Sequence, residues 1–298
     1  MERVDLHLHS FYSDGISSPE LMIERAKQLG YAACALTDHD GILGVERALA
    51  EGRRLGIKVV PGIELSSEFE AQLGSFETNR YFMHILGYGI DIHNKELNEA
   101  LEDLMQRRFA RNEKVRKALK ELGIDIALDE LQSQTPQGFV GKPSFARILV
   151  ARGLSSSVTE AFQDPRYLAH PSIRAIRKEK ISAELAVKLI KGAGGMAFFA
   201  HPFQLSYIVN GEYDSEKIYR EKLGLVVSAL TKKGMEGIEA GYPTHTQDEA
   251  EFALSLAEEN GLLVSRGSDD HGLGSRPVKI MGDFQYEISP EYYQWAVK

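Results

Sequence analysis

The sequence predicts an α/β protein whose strands form a closed barrel, with a helical insertion near the middle of the chain. Seven short apolar runs, most of them followed by an amphipathic helical pattern, indicate a parallel sheet. No glycine-rich phosphate fingerprint follows the first strand, which favours a barrel over an open dinucleotide-binding sheet. We expect a barrel domain over residues 1–95 and 180–298 and an insertion domain over residues 96–179, where strand patterns are missing.

The first strand and the first helix have the clearest patterns. Apolar and polar residues alternate over residues 3–9, which is the period of two of a strand. Ser17 is followed three residues later by Glu20, with Pro19 between them, and this combination predicts a helix start. Gly30 is expected to end that helix.

The other elements follow from the same two periods. Strands are expected over residues 31–37, 57–60, 81–86, 195–200, 235–240 and 262–266. Helices between them are expected over residues 43–54, 182–192, 215–232 and 246–260. The insertion is expected to contain helices over residues 94–122, 143–152 and 156–163.

The composition is that of an ordinary globular protein. The 298 residues are 43% hydrophobic and 26% charged. No apolar run reaches the roughly 20 residues of a membrane-spanning helix, so we expect a cytoplasmic protein without a membrane partner. The single cysteine, Cys34, lies in an apolar stretch and is expected in the core. The net charge of −8 argues against duplex nucleic acid as a partner.

Imidazole and carboxylate side chains cluster at the predicted strand ends. His7 and His9 close the first strand and lie on the same face of it. Later members of the set are Asp14, Asp38, His39, Asp40, Glu64, His84, His201, Asp269 and His271. Because the carboxyl ends of barrel strands meet on one face, these side chains are expected to converge there. Histidine with carboxylate, without cysteine, is a ligand set for divalent metal ions with open coordination positions.

Five motifs in this order resemble a known family. They are Asp-Leu-His-Leu-His-Ser at 5–10, Thr-Asp-His-Asp at 37–40, Pro-Gly-Ile-Glu at 61–64, Ala-His-Pro at 200–202 and Gly-Ser-Asp-Asp-His at 267–271. Together they resemble the PHP (polymerase and histidinol phosphatase) phosphoesterases. The resemblance implies a distorted seven-stranded (β/α) barrel with two or three divalent metal ions. His84 and the helical insertion are similar to the branch of 3′,5′-nucleotide bisphosphate phosphatases and short-RNA 5′ exonucleases.

The resemblance also implies a ligand for each metal ion. One ion would be bound by His7, His9, Glu64 and Asp269. Glu64 would bridge to a second ion bound by His84 and His201, and a third ion would take Asp14, His39 and His271. The family favours manganese, although imidazole and carboxylate also suit zinc or iron. Asp38 and Asp40 are expected either to orient imidazoles or to lie in solvated turns.

Such a site would suit phosphate chemistry. Three carboxylate ligands contribute about −3 and three divalent ions about +6, so the pocket would attract a phosphate dianion. Water bridging two ions would supply hydroxide for in-line attack, with Asp269, His201 and His245 as the expected catalytic residues. The most probable reaction by resemblance is removal of the 3′-phosphate from a nucleoside 3′,5′-bisphosphate.

Substrate contacts are predicted from the basic residues and one further histidine. Lys142 in Gly-Lys-Pro resembles the Gly-Arg-Pro segment of the nucleotide-phosphatase branch, although lysine lacks the bidentate geometry of arginine. His245 is expected to touch substrate or protonate the leaving oxygen, with a structural role as the alternative. Arg276 is a weaker phosphate candidate. Arg147 and Arg177 are further phosphate candidates, but both are expected on solvated helix faces. The basic residues over 107–117 are expected to form a solvated face rather than an RNA track.

Other functions remain open at this point. Within the same class, the alternatives are histidinol phosphate hydrolysis and 5′-3′ trimming of short RNA. An amidohydrolase-type reaction on a C–N or lactone bond is the alternative from another class, since metal-activated water also serves acyl transfer. That reaction would not depend on Lys142. A barrel without catalytic activity is the third alternative, and the complete ligand set argues against it.

Overall fold

A computed structural model describes residues 2–133, 139–178, 180–207, 214–272 and 281–298 of the protein. Its strands are β1 (Val4–Leu8), β2 (Ala33–Leu36), β3 (Lys58–Ala71), β4 (Asn79–Tyr88), β5 (Ile181–Ser182), β6 (Met196–Phe199), β7 (Ser206–Tyr207), β8 (Gly237–Gly241) and β9 (Leu263–Arg266). Its helices are α1 (Pro19–Gln28), α2 (Val45–Leu55), α3 (Lys95–Glu121), α4 (Leu128–Ser133), α5 (Lys142–Ala151), α6 (Val158–Gln163), α7 (Pro171–Arg174), α8 (Ala183–Gly192), α9 (Glu216–Thr231) and α10 (Gln247–Asn260). Short 3-10 helices lie at Pro202–Gln204 and Pro290–Ala296.

The strands form one sheet in the order β1-β2-β3-β4-β6-β8-β9, with β5 added beside β3 and β7 beside β4. This confirms the α/β class. The expectation of a wholly parallel sheet is wrong, because β4 runs antiparallel to both β3 and β6. A short connection joins β3 to β4, and a short connection permits only antiparallel pairing, whereas parallel neighbours need a long crossover.

The two ends of the sheet approach each other at the site. Leu8 at the end of β1 forms an isolated parallel bridge with Asp270, and the His9 amide donates to the Asp270 carbonyl at 2.9 Å. No ladder between β1 and β9 is present among the described residues, so strand pairing does not establish a closed seven-stranded barrel. The approach still brings the carboxyl ends of β1 and β9 together.

Two separate hydrophobic clusters are joined by α3. The larger one packs the sheet against its helices and includes Leu97 and Leu104 from the first half of α3. The smaller one belongs to the insertion and includes Val115 and Leu119 from the second half of the same helix. The helix thus starts on the sheet and ends inside the insertion, while the domain boundaries at 96 and 179 stay a prediction.

Local details refine the predicted helix starts. The N-cap of α1 is Ser18 rather than Ser17, and its hydroxyl accepts a hydrogen bond from the Leu21 amide at 3.2 Å.

Cys34 is fully buried in β2, and burial raises the pKa of its thiol, as expected for a core residue. None of the described helices is long and apolar enough to cross a membrane.

Candidate metal centre and substrate cavity

The polar end of the sheet gathers all nine predicted metal ligands. Three groups of them have ligand atoms within 4.8 Å of one another. The groups are His7 with His9 and Asp269, His39 with Glu64 and His84, and His9 with Asp14, His39 and His271. His201 joins the second group, because its Nε2 lies 3.0 Å from Glu64 Oε1 and 3.3 Å from His84 Nδ1.

Glu64 lies at the centre of these groups. Its Oε2 is 3.4 Å from His7 Nε2, 3.3 Å from His9 Nε2 and 2.9 Å from His39 Nδ1. Its other oxygen, Oε1, is 2.9 Å from His84 Nδ1. A carboxylate with a separate set of imidazoles at each oxygen has the arrangement of a bridging ligand.

The donor atoms fit divalent cations. Several are buried and have no hydrogen-bond partner among the described residues, namely His7 Nε2, His9 Nε2, His39 Nδ1, Glu64 Oε2 and Asp14 Oδ1. Buried polar atoms without partners are costly, so the presence of several of them in one place requires an explanation. Cations bound in the three groups would satisfy these atoms, and the mixture of imidazole and carboxylate suits first-row transition metals.

The electrostatics of the site also favour positive charge. Burial opposes a charge on His9, but the carboxylates of Asp269 and Glu64 raise the pKa of its imidazole to about 10. Burial likewise opposes charge on Glu64, yet the surrounding His39 and His84 hold the pKa of this carboxyl well below its usual range. The site attracts protons strongly when no cation balances its carboxylates, and a metal ion competes with those protons.

Two of the candidate ligands lie on strained backbone. His201 has a φ angle of 27° and Asp269 one of 53°, in the left-handed region that residues other than glycine rarely adopt. Gly267 lies two residues before Asp269. Only glycine fits there, because a Cβ would lie 2.2 Å from the Cβ of His7. Strain and close packing at these positions indicate that the surrounding structure fixes the ligands in place.

Glu239 in β8 is a further residue of the site, which the sequence reasoning missed. Its Oε1 accepts from His7 Nδ1 at 3.0 Å, and its Oε2 accepts from the His201 amide at 2.8 Å. The hydrogen bond to Nδ1 leaves His7 Nε2 as the atom available to a metal. Tyr242 acts similarly, because its hydroxyl donates to Asp269 Oδ2 at 2.8 Å. The sequence does contain a signal that could have identified Glu239. It is a glutamate in an otherwise apolar strand, where a buried charge needs a partner.

The two aspartates of the second motif do not orient imidazoles directly. Asp38 Oδ1 accepts from the Ser10 amide and Asp38 Oδ2 from the Ser10 hydroxyl, both at 2.7 Å, so this carboxylate orders the turn after β1. Asp40 accepts from the Ser66 amide at 2.8 Å and pairs with Arg108 at 2.6 Å and Lys178 at 3.3 Å. Neither carboxylate lies in a solvated turn, since both are buried.

A cavity of about 440 Å³ opens beside the ligands Asp14 and His39. Eight cationic side chains line it, namely Arg80, Arg108, Arg111, Lys142, Arg174, Arg177, Lys178 and Lys180. Lys142 is half-buried, and burial together with Arg111 and Arg174 lowers the pKa of its amine. Arg108 and Lys178 pair with Asp40, Arg80 pairs with Glu70, and Glu68 also lines the cavity. The cations still outnumber these carboxylates, so the cavity attracts anions even though the whole chain carries −8.

The structure separates the basic residues that were expected to be solvated. Arg177 is exposed as expected, although it borders the cavity, and so are Arg107, Lys114 and Lys117. Arg108 and Arg111 of α3 depart from the expectation, because they line the cavity and Arg111 is buried. Arg147 is half-buried, and its guanidinium donates to the carbonyl of Asp14 at 3.0 Å. Helical periodicity showed that these residues share a surface, but only the packing of the insertion against the sheet made that surface the wall of a cavity.

His245, a further predicted substrate contact, does not touch the candidate ligands directly. His245 is buried between Phe203 and Tyr242, and its Nδ1 donates to the Ala240 carbonyl at 2.9 Å. Burial lowers the pKa of this imidazole. Within the described residues, neither a hydrogen bond nor a ring contact links His245 to the nine ligands. Arg276 lies outside the described residues.

Comparisons with known proteins agree with this geometry. The PHP domain family matches residues 5–241. The chain is 34% identical to a 3′,5′-nucleoside bisphosphate phosphatase of Chromobacterium violaceum, over 93% of this chain and 91% of the relative. It is 30% identical to a 5′-3′ exoribonuclease of Haemophilus influenzae, over 91% of this chain and 90% of the relative.

A solved structure has the same fold. It is an amidohydrolase of Chromobacterium violaceum with bound sulfate, which aligns with a TM-score of 0.76 at 29% identity and covers 94% of this chain and 91% of its own. The family match extends over most of the chain and includes four of the five motifs. The chain therefore belongs to the PHP-domain family, and it is a metal-dependent phosphoesterase.

Proposed function

We propose that the protein removes the 3′-phosphate from nucleoside 3′,5′-bisphosphates. The observation that carries the proposal is the cavity of about 440 Å³, which has metal-ligand candidates Asp14 and His39 at one side and cationic side chains on its walls. A substrate with two phosphates matches both parts. One phosphate would meet the metal centre, and the other would meet the cations.

Two or three divalent ions, manganese by preference, would be bound by the nine ligands that converge around Glu64. Such ions activate water and neutralise charge on phosphoryl oxygens. The protein's own contribution is to fix the ligands. Glu239 keeps His7 in the tautomer with Nε2 available, and Tyr242 orients Asp269.

The second phosphate would be bound by Lys142 with Arg111 and Arg174. These three cations lie close enough that Arg111 and Arg174 lower the pKa of the Lys142 amine. Mutual repulsion among cations is relieved when an anion binds between them, which favours a phosphate group over a neutral one. A monophosphate lacks this contact, so the cluster would distinguish substrates with one phosphate from those with two.

The proposed roles of the catalytic residues follow from their hydrogen bonds. Asp269 and His201 would act as metal ligands that border the reacting phosphate. His245 is proposed as a substrate contact, because Nδ1 donates to Ala240 and Nε2 has no partner among the described residues. That tautomer makes Nε2 an acceptor for a substrate hydroxyl, and it disfavours proton donation to the leaving oxygen.

Short RNA is the second candidate substrate. The cations form a further group around Lys180, whose amine has a lowered pKa from burial and from Lys178, Arg177 and Arg80. A nucleoside bisphosphate has one phosphate beyond the metal centre and needs one cationic group to bind it. An oligonucleotide has further phosphates, which could bind both cationic groups. The Haemophilus influenzae relative carries the corresponding activity in its name.

A substrate panel tests the proposal. With manganese present, kcat/KM would be measured for adenosine 3′,5′-bisphosphate, histidinol phosphate, a 5′-phosphorylated RNA trimer and an aryl phosphate. We expect the bisphosphate to exceed the aryl phosphate by about 100-fold, as charge-assisted contacts allow. Equal values would overturn the substrate assignment, and a larger value for the trimer would favour RNA trimming.

Variants of the same enzyme test the site. His9→Ala should abolish turnover of every substrate, because it removes a ligand shared by two groups. Lys142→Ala should lower kcat/KM for the bisphosphate by about ten-fold or more and leave the aryl phosphate unchanged. Full activity of His9→Ala would refute the metal centre. Hydrolysis of a C–N or lactone substrate, unaffected by Lys142→Ala, would support the amidohydrolase alternative.

A further inference from the structure

A second, larger cavity lies on the other side of Arg108. This apolar groove has a volume of about 740 Å³, within the range of small-molecule sites. Its apolar lining includes Leu43, Met105 and Phe109, which are 63%, 50% and 53% exposed. Large apolar side chains that remain this exposed around one concave surface indicate a binding site.

The apolar groove adjoins the cationic cavity. Arg108 and Phe139 line both of them. The guanidinium of Arg108 stacks over the ring of Phe139 at 4.1 Å, and its Nη2 is fixed by Asp40 at 2.6 Å. The boundary between the two cavities is therefore a planar cation on an aromatic ring, held in place by a buried carboxylate.

The two cavities differ in charge. In the groove, Lys95 is paired with Glu99 at 3.6 Å, and Arg108 is paired with Asp40. Glu102 also lines the groove. Its described cations are thus neutralised and its free charge is negative, so a phosphate is repelled there. An uncharged aromatic ring is favoured by the apolar walls and by the guanidinium and aromatic faces at the boundary.

We propose that the apolar groove binds the nucleobase of the substrate, with the Arg108–Phe139 stack and Phe109 as its aromatic surface. A nucleotide has anionic and uncharged aromatic parts joined in one molecule, which is the pairing that the two adjoining cavities present on either side of Arg108 and Phe139. This inference rests on the proposed function, because it assigns the base of the same substrate. It makes Phe109 and Phe139 determinants of base recognition rather than of phosphate chemistry.

The test compares two substrates that differ only in the base. These are 2′-deoxyadenosine 3′,5′-bisphosphate and its abasic tetrahydrofuran analogue. The wild-type enzyme should have a kcat/KM about ten-fold or more higher for the compound with the base, as stacking on aromatic side chains provides. Phe109→Ala and Phe139→Leu should both reduce this advantage to about two-fold or less. Phe109 does not line the cationic cavity, so Phe109→Ala should raise KM for the base-containing compound alone and leave the abasic analogue unchanged.

The control is Tyr292→Ala, which removes an aromatic ring that is 47% exposed and does not line the groove. It should keep the full advantage of the base. An advantage that persists in both groove variants overturns the inference, as does equal turnover of the two compounds by the wild type. Phe109 is half-exposed, so Phe109→Ala is expected to fold even if Phe139→Leu does not.

Failure of the proposed function has a different signature. If neither compound is hydrolysed, the proposed function is wrong. Calorimetric binding of the same two compounds then tests the base-binding inference by itself, and equal affinities would overturn that inference. Light scattering on the same samples tests whether a second copy of this chain occupies the groove instead. A wild-type dimer that Phe109→Ala dissociates, with the advantage of the base unchanged, would assign the groove to a second copy of this chain and overturn the inference.

Discussion

Glu239 explains how a buried histidine is prepared to bind a metal. Its carboxylate is fully buried and contacts both the His7 ring and the His201 backbone. A carboxylate that accepts from one ring nitrogen increases the basicity of the other and fixes the ring orientation. Since His201 also has a strained φ angle of 27°, the hydrogen bond to its amide helps to hold that conformation.

We predict that Glu239→Gln weakens metal binding without unfolding the protein. The amide is nearly isosteric but loses the charge that orients His7, and such changes lower metal affinity by about 10–100-fold. Competition with a chromogenic chelator would measure the effect. Glu236→Gln is the control, because Glu236 pairs with Lys191 at 3.0 Å, away from the metal centre. Equal affinities in Glu239→Gln and the wild type would contradict the role of Glu239.

At the scale of elements, α3 carries the insertion on the sheet. Its first half packs into the sheet core and its second half into the insertion core, and Arg108 lies between them. There Asp40, with a φ angle of 50°, binds Arg108 and also Lys178 at the end of the insertion. One buried carboxylate next to a metal-ligand candidate therefore ties both ends of the insertion to the site.

We predict that Asp40→Asn loosens the insertion. Hydrogen bonds to charged groups contribute about 1.5–3 kcal/mol, so amide hydrogen exchange in α5 should accelerate by about ten-fold or more. Exchange in β6, which belongs to the sheet core, should not change. Mass spectrometry would measure both segments. Asp125→Asn, which removes an exposed pair with Lys120, is the matched control. If α5 of Asp40→Asn exchanges like the control, Asp40 does not tie the insertion down.

At the scale of the whole molecule, charge is divided between surface and cavity. The chain carries −8, yet the described part of the cationic cavity collects eight basic side chains. Metal-ligand candidates add three carboxylates and six imidazoles at the other side of that cavity. Net charge therefore describes colloidal behaviour here but not ligand preference, since a local field decides which molecules enter a cleft.

We predict that manganese stabilises the fold. Binding to the native state alone adds about 2.7 kcal/mol to the free energy of unfolding at 100 times Kd. The unfolding temperature measured by calorimetry should rise with manganese and fall again with chelator. Lys142→Ala should retain this rise, because Lys142 is not a ligand, and His9→Ala should lose most of it. A rise of the same size in His9→Ala would place the metal elsewhere.

Much of the site could be predicted from the chain alone. The alternation in β1 places His7 and His9 on one face, and most of the other candidate ligands follow parallel strands, which share one polar end. The position of His84 does not follow from this rule, because it lies within the antiparallel strand β4. Local patterns also predicted most of the helices. These features depend on residues that are neighbours in sequence, where the periods of two and 3.6 carry the information.

Tertiary structure alone decided the rest. The antiparallel direction of β4, the contact of Glu239 with His7 and the change of Arg108 from a solvated cation to a cavity wall all depend on residues far apart in sequence. No local period encodes which element packs against another. Local sequence patterns were enough to name the candidate metal and phosphate ligands. The packing of the insertion on the sheet decided which cations lie near those candidates, because only folding brings the two surfaces within reach.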